Sequence, residues 1–328
     1  MNEPTVNDPT VNDPTGNDPT GNDPTGNEKT TRCGFVAILG APNAGKSTLM
    51  NRLVGAKLSI VSPKVQTTRS RVTGIIATGP DQLTQIVFID TPGIFNPRRR
   101  LDRAMVGAAW QGAQHADRIV LIVDAKRGLD EDTRAILTRL AGAGRPCIAA
   151  LNKIDLVPRP SLLGLADAIA KAGKVDAVFM ISATTGDGVD DLLTHLAAAM
   201  PPGPWHYPED QMSDMPLRLL AAELTREQVF LQLHDELPYA AAVETVAWEE
   251  RKDGSARVDQ TIYVERESQR AIVLGHGGQR IKRIGATARA EMEKLMERRV
   301  HLFLHVKVDP NWAENRDQFR PWGLDYDA

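Results

Sequence analysis

Five short, almost wholly apolar runs within residues 33–199 constrain this chain more than any other feature. They are Phe35–Leu39, Ile86–Ile89, Ile119–Val123, Cys147–Leu151 and Val178–Ile181. A strand that is apolar at every position must be covered on both faces. The stretches between the runs carry helical spacing, most clearly Val189, Leu192, Leu193, Leu196 and Ala197 at i, i+3, i+4, i+7 and i+8. The alternation predicts an α/β domain over residues 31–200, with a doubly wound, mostly parallel sheet. Pro201, Pro202, Pro204, Pro208 and Pro216 then break the pattern, so residues 201–216 read as a linker.

The order changes after the linker. Leu217–Leu233 reads as a helix, and Tyr239–Trp248 and Val258–Glu265 read as strands joined by a turn at Asp253-Gly254. Gln269–Leu274 and Gln279–Arg298 read as a short and a long helix, and Val300, Leu302, Leu304, Val306 and Val308 alternate as a half-buried strand. The order α-β-β-α-α-β over residues 217–309 predicts a small α+β domain, followed by a tail over 310–328. That tail, counted from Asp309, holds five acids, two bases, Trp312 and Trp322.

Composition excludes some classes. With 42% hydrophobic and 25% charged residues, the chain is neither wholly disordered nor a disulfide scaffold. Its apolar runs fall far short of the ~18 residues that span a bilayer, and none lies near the N-terminus, so no secretory signal is expected. Cys33 and Cys147 form no cluster and read as reduced thiols. The net charge of −3 is uneven: residues 1–29 hold six acids and one base within repeats of Asn-Asp-Pro-Thr-Gly type. Such a segment has nothing to bury, so residues 1–30 are expected to be a disordered acidic tail.

Chemistry concentrates where the apolar runs end. Gly40-Ala41-Pro42-Asn43-Ala44-Gly45-Lys46-Ser47 follows the first run and opens a helix, matching G-x-x-x-x-G-K-[ST] in its required context. Its glycines let backbone N–H groups turn around a phosphate, and the helix N-terminus adds partial positive charge. Gly40, Asn43, Ala44, Gly45, Lys46, Ser47 and Thr48 are therefore expected to hold a nucleotide, with Lys46 at the β- and γ-phosphates and Ser47 on Mg²⁺. Asp90-Thr91-Pro92-Gly93 ends the second run, with Asp90 expected to hold the metal through water and the Gly93 amide to touch the γ-phosphate. Asn152-Lys153-Ile154-Asp155 ends the fourth. The Asp155 carboxylate can accept from guanine N1–H and its 2-amino group, a donor pair adenine lacks, so it selects GTP/GDP over ATP. Asn152 and Lys153 are expected to tie this loop to the phosphate loop. Ser182-Ala183 ends the fifth run, with the Ala183 amide expected on guanine O6.

With these motifs in this order the chain resembles the translation-factor class of GTPases. Gln66-Thr67-Thr68-Arg69 then looks like the first switch, with Thr68 reaching Mg²⁺ and Thr67 as the alternative. Ile94 stands where small GTPases carry the Gln that orients water, and an isoleucine cannot do this. Resemblance to hydrophobic-substituted GTPases implies that Asn43 helps hold K⁺ beside the phosphates, the ion acting where an arginine finger would. Lys46, Asn43, Thr68 and Gly93 form the expected catalytic set.

The second domain carries Gly275-His276-Gly277-Gly278 at a helix junction, the Gly-x-x-Gly loop that clamps nucleic-acid backbone in KH domains. Residues 279–299 beyond it hold seven bases and three acids. Gly275, His276, Gly277, Gly278, Gln279, Arg280, Lys282 and Arg283 are the expected RNA contacts. A GTPase followed by such a domain resembles the Era family over about residues 31–315, through Gly-Ala-Pro-Asn-Ala-Gly-Lys-Ser, Gln-Thr-Thr-Arg and Gly-His-Gly-Gly-Gln-Arg-Ile-Lys-Arg-Ile-Gly. The resemblance implies a slow, monomeric, cytoplasmic GTPase switch of a family with bacterial and organellar members. Such a switch binds the 3′ end of 16S RNA through the KH domain and assists 30S assembly. Some members also touch the inner membrane peripherally. His276 departs from the lysine usual in that clamp, and the N-terminal repeat is extra. Two other classes fit less of the sequence: a constitutive RNA-binding module with a structural nucleotide, and a GTPase that drives RNA modification. The basic run Arg98-Arg99-Arg100 is read as a solvated loop or as an RNA or inter-domain contact.

Overall fold

The computed structural model describes residues 30–62, 68, 72–95, 97, 100–233, 237 and 240–312. The acidic repeat over 1–29, Gln66, Thr67 and Arg69, Arg98 and Arg99, Tyr239 and the tail from 313 onward, with Trp322, lie outside the described residues.

The first domain runs β1 (Arg32–Gly40), α1 (Lys46–Val54), β2 (Val72–Thr78), β3 (Thr84–Asp90), α2 (Arg100–His115), β4 (Arg118–Asp124), α3 (Glu131–Gly142), β5 (Cys147–Asn152), α4 (Arg159–Ala172), β6 (Val175–Met180) and α5 (Val189–Ala198). Its sheet has the order β2-β3-β1-β4-β5-β6. All neighbours pair in parallel except β2 with β3. The apolar runs fall on β1, β3, β4, β5 and β6. Edge strand β2 had no counterpart among them, because Thr73, Gly74, Ala77 and Thr78 dilute its apolar pattern. Alternate side chains feed two cores: Val36 and Ile38 with Leu49, Met50, Leu192 and Leu196 on one face, and Leu39, Leu121, Ile136 and Ile169 on the other. Each such burial contributes about 1.5–3 kcal/mol, which holds the strand ends Gly40, Asp90, Asp124 and Asn152 in register.

Residues 201–216 carry little regular structure but are tied down. Cys33 N–H donates to Pro201 O (3.1 Å), Ile75 N–H to Met212 O (2.9 Å) and Ser213 Oγ to Thr73 O (2.6 Å). Trp205 and Tyr207 pack beside Cys33, Ile75 and Val87. The segment thus sheathes β2, covering a sheet edge that would otherwise present unpaired backbone.

The second domain runs α6 (Leu217–Gln232), β7 (Ala241–Glu250), β8 (Ala256–Val264), α7 (Glu267–Leu274), α8 (Gln279–Met296) and β9 (Val300–Val308). Its sheet is β7-β8-β9, antiparallel then parallel. Val229, Leu233, Ile262 and Ile284 form one core, and Leu224, Val258, Ala288 and Met292 a second. The domains meet where Ala104 and Met105 of α2 pack on Ala242 and Trp312. Trp312, buried, donates its indole N–H to Ala240 O (3.1 Å). The start of the expected tail therefore belongs to the inter-domain core. Among the described residues no helix is long and apolar enough to cross a membrane.

Candidate functional site

The phosphate loop lies between β1 and α1, so the unpaired first amides of α1 face a cavity of about 370 Å³. Loop and helix supply Asn43, Gly45, Lys46, Ser47 and Thr48; Gly93 and Lys153 come from other strand ends. The segment before the first switch supplies Ile60, Val61 and Ser62, and Thr68 completes the wall. Gly45 has φ of 105°, and a Cβ there would stand 2.1 Å from Asn152 Nδ2, so only glycine lets the base loop close on this turn. Lys46 is buried and folds back along the loop, donating to Gly40 O (3.1 Å) and Ala41 O (2.9 Å). Burial pushes its pKa down to about 8 against the opposing pull of Asp90. Gly40 O also accepts from Ile94 N–H (3.1 Å), which fixes the turn after Asp90 against the loop. The Ile94 side chain is buried.

Ser47 Oγ lies 2.8 Å from both Asp90 Oδ2 and Thr68 Oγ1. Asp90 is fully buried, and its Oδ1 has no hydrogen-bond partner among the described residues. Burial raises its pKa, opposed by the Lys46 charge and neighbouring hydroxyls. Two hydroxyls beside a carboxylate with an unpartnered oxygen suit a hard divalent ion, which takes its other ligands from water and phosphate. Ser47, Thr68 and Asp90 thus come together although 43 residues separate the outer two.

The base loop is locked to the phosphate loop through Asn152 and Lys153. Asn152 Nδ2 donates to Ala44 O (2.8 Å), and Lys153 Nζ reaches Asn43 O (2.7 Å) and Asp124 Oδ2 (2.6 Å). Asp124, at the end of β4, is a positioning group the motif reading passed over; its signal was an acid ending an apolar run. Asp155 is exposed beside the loop. Ser182 is buried, and its Oγ accepts from Thr185 N–H (3.2 Å). The Ala183 amide, expected on guanine O6, donates here to Asn152 Oδ1 (2.9 Å), so Asn152 is held at both amide ends and bridges the two loops.

A second cavity, of about 560 Å³, lies at the α7–α8 junction, lined by Leu231, Gln232, Gly275, His276, Gln279, Arg280 and Arg283. Gly275, Gly277 and Gly278 have φ of 68°, 56° and 74°, and a Cβ at Gly277 or Gly278 would meet nothing within 4 Å. The backbone is therefore open to an approaching chain. Arg280 donates to Ile272 O (2.8 Å), and His276 is exposed at the tip. Lys282 is exposed outside the cavity lining.

A phosphate loop with strand-end metal and base loops, joined to an α-β-β-α-α-β unit with a Gly-x-x-Gly junction, defines a P-loop GTPase carrying a C-terminal KH domain. Family models agree: one described as a 50S ribosome-binding GTPase matches residues 35–153, and a KH-domain model matches residues 236–313. GTPase Era of Rhizobium meliloti (strain 1021) is 57% identical over 296 residues, covering 90% of this chain and 94% of the relative. GTPase Era of Caulobacter vibrioides is 56% identical over 312 residues, covering 91% and 98%. Two solved structures each match with a TM-score of 0.84 at 38% identity, over 89% of this chain and 99% of theirs: an Aquifex aeolicus Era variant bound to GDP·AlF4⁻, and Era with MgGDPNP and nucleotides 1506–1542 of 16S ribosomal RNA. The chain belongs to the Era family of GTP-hydrolysing enzymes.

Proposed function

We propose that this chain is a monomeric, cytoplasmic GTP switch that binds the 3′ end of 16S ribosomal RNA and assists assembly of the 30S subunit. The observation that carries it is the pairing, in one chain, of a guanine-nucleotide cavity with a glycine-opened clamp cavity walled by Arg280 and Arg283. A relative solved with both MgGDPNP and a 16S fragment supports the same pairing.

In this reading the amides of Gly40, Ala44, Gly45 and Thr48 cradle the phosphates. The Lys46 ammonium exchanges the carbonyls of Gly40 and Ala41 for phosphate oxygens. Ser47, Thr68 and Asp90 would hold Mg²⁺, which would neutralise charge on the transferring phosphoryl group. Asp155 reads guanine, and Ser182 and Ala183 hold the base loop through Asn152. The Gly93 amide meets the γ-phosphate. Because Ile94 cannot orient water, Asn43 would help hold K⁺ beside the phosphates, where the ion would supply the charge stabilisation of an arginine finger. The clamp, from Gly275 to Gly278, and the first turns of α8, with Gln279, Arg280, Lys282 and Arg283, hold the RNA backbone.

The test is GTP hydrolysis by the full chain with and without a 16S 3′-end oligonucleotide, in potassium and in sodium, with ATP as control. The expected result is GTP-only turnover that rises with the RNA and is faster in potassium. Turnover indifferent to RNA despite tight RNA binding would overturn the switch.

A further inference from the structure

The segment leading into the first switch is anchored from outside its own domain. Glu227 lies in the middle of α6, in the second domain, and its side chain is only 3% exposed. Its Oε1 accepts the backbone N–H of Val61 (3.1 Å), and its Oε2 lies 2.6 Å from Lys57 Nζ. Lys57 Nζ also reaches Glu291 Oε2 on α8 at 3.1 Å. Val61 and its neighbours Ile60 and Ser62 line the nucleotide cavity, a few residues before Thr68. One turn further along α6, about 6 Å away, Leu231 and Gln232 line the clamp cavity with His276 and Arg280. A single turn of α6 therefore separates Glu227, which holds a wall residue of the nucleotide cavity, from the residues that line the clamp cavity.

We propose that Glu227 is a positioning residue that latches the entrance of the first switch to the RNA-binding domain, so that the nucleotide state sets the disposition of the clamp. The proposal rests on the switch reading above and names the contact that transmits it. A carboxylate this buried is tolerated only while partnered. Thr68 is seated against Ser47 and Asp90 here, the arrangement in which the first switch is drawn onto the metal site. If the segment at Val61 withdraws when the γ-phosphate leaves, Glu227 loses its amide, and its hold on Lys57 goes with it. The contact is thus either made or open, and α6 is held in one placement only while it is made. Lys57 is suited to the part. Burial works against its charge, but Glu227 and Glu291 outweigh this and raise its pKa. By linkage, RNA that prefers the latched placement must in turn favour the triphosphate.

The test uses the full chain loaded with Mg·GDPNP or Mg·GDP, and a fluorescently labelled 16S 3′-end oligonucleotide read by anisotropy. The readout is the ratio of the two RNA dissociation constants, which a merely structural role for Glu227 would not move. The wild-type ratio is expected to exceed about fivefold in favour of GDPNP. Glu227→Gln retains an acceptor for Val61 but removes the ion pair, and Lys57→Gln removes it from the more exposed side; each should bring the ratio below about twofold. Lys57→Arg, which restores the charge, should recover most of it. If Glu227→Gln does not fold, as read by circular dichroism, the two Lys57 variants decide. A wild-type ratio above fivefold that Lys57→Gln leaves unchanged overturns the latch alone. A wild-type ratio near one overturns the switch reading and the latch with it.

Discussion

At Gly45 two separate demands fall on one atom. The turn needs φ of 105°, and the Asn152 amide occupies the space a Cβ would take. Gly45→Ala should therefore cost about 1–3 kcal/mol in strain and displaced contacts, roughly 5- to 150-fold in affinity. Titration with a fluorescent GDP analogue checks this; affinity within twofold of wild type would contradict it. Cys147 has no part in the chemistry, but burial pushes its pKa up to about 12 from 9.0, with Asp176 adding to the rise. Between those values the unfolded chain has lost this proton and the folded chain retains it. The group's contribution is complete below pH 9 and falls away as pH rises towards 12, by roughly 1.4 kcal/mol at pH 10. Urea unfolding of wild type and Cys147→Ala at pH 7.5 and pH 10 should show the gap between them narrowing by about that amount. The motif residues were legible because each motif is local and its chemistry needs those residue types. Asp124 was not, because its partner Lys153 lies 29 positions away.

At the element scale, helix α6 most clearly defeats pattern reading. Glu223, Thr225, Arg226, Glu227 and Gln228 are polar or charged, yet all five are buried. Glu223 and Arg226 pair within the helix, while Thr225 and Glu227 find partners on other elements. Arg226 pairs with Glu223 through Nε (2.8 Å) and Nη2 (2.5 Å), and its guanidinium lies 5.2 Å from the Phe230 ring centroid. Thr225 bonds Gln260 of β8. Removing one partner of a buried ion pair leaves a charge without compensation, so Arg226→Ala should lose about 3–5 kcal/mol. Replacing both as Glu223→Leu/Arg226→Met should lose much less. Chemical denaturation of the two variants tests the difference, and equal losses would show that the pair acts only through its volume. Edge strand β2 was missed for a related reason. Its pattern is diluted, and its stability comes from β3 on one side and the proline-rich segment on the other.

For the whole molecule, the question is what joins the two domains. Among the described residues, the Lys57–Glu227–Glu291 cluster beside Val61 and Trp312 between α2 and Ala242 both cross between them. Trp312 packs on Ala104 and Met105 in the first turns of helix α2, so this end of the second domain is keyed to the nucleotide domain. Trp312→Ala should remove about 3–5 kcal/mol, most of it from the domain contact. Urea unfolding should split into two transitions, and small-angle scattering should show a larger radius of gyration. A single transition with unchanged dimensions would mean that the other contacts suffice.

The amino-acid sequence alone determined the parallel α/β domain, the phosphate, metal and base loops at its strand ends, and the helix junction of the clamp. These features depend on periodicity and on residue types within a few positions of one another, and such signals are written along the chain. Only the tertiary structure decided that the proline-rich segment sheathes a sheet edge, that the Ala183 amide serves Asn152, and that polar α6 is buried. It also decided that Glu227 and Trp312 join the two domains. Each of those depends on a partner far away in sequence. Desolvation and packing are set by what folding brings alongside a residue, and no local pattern records that.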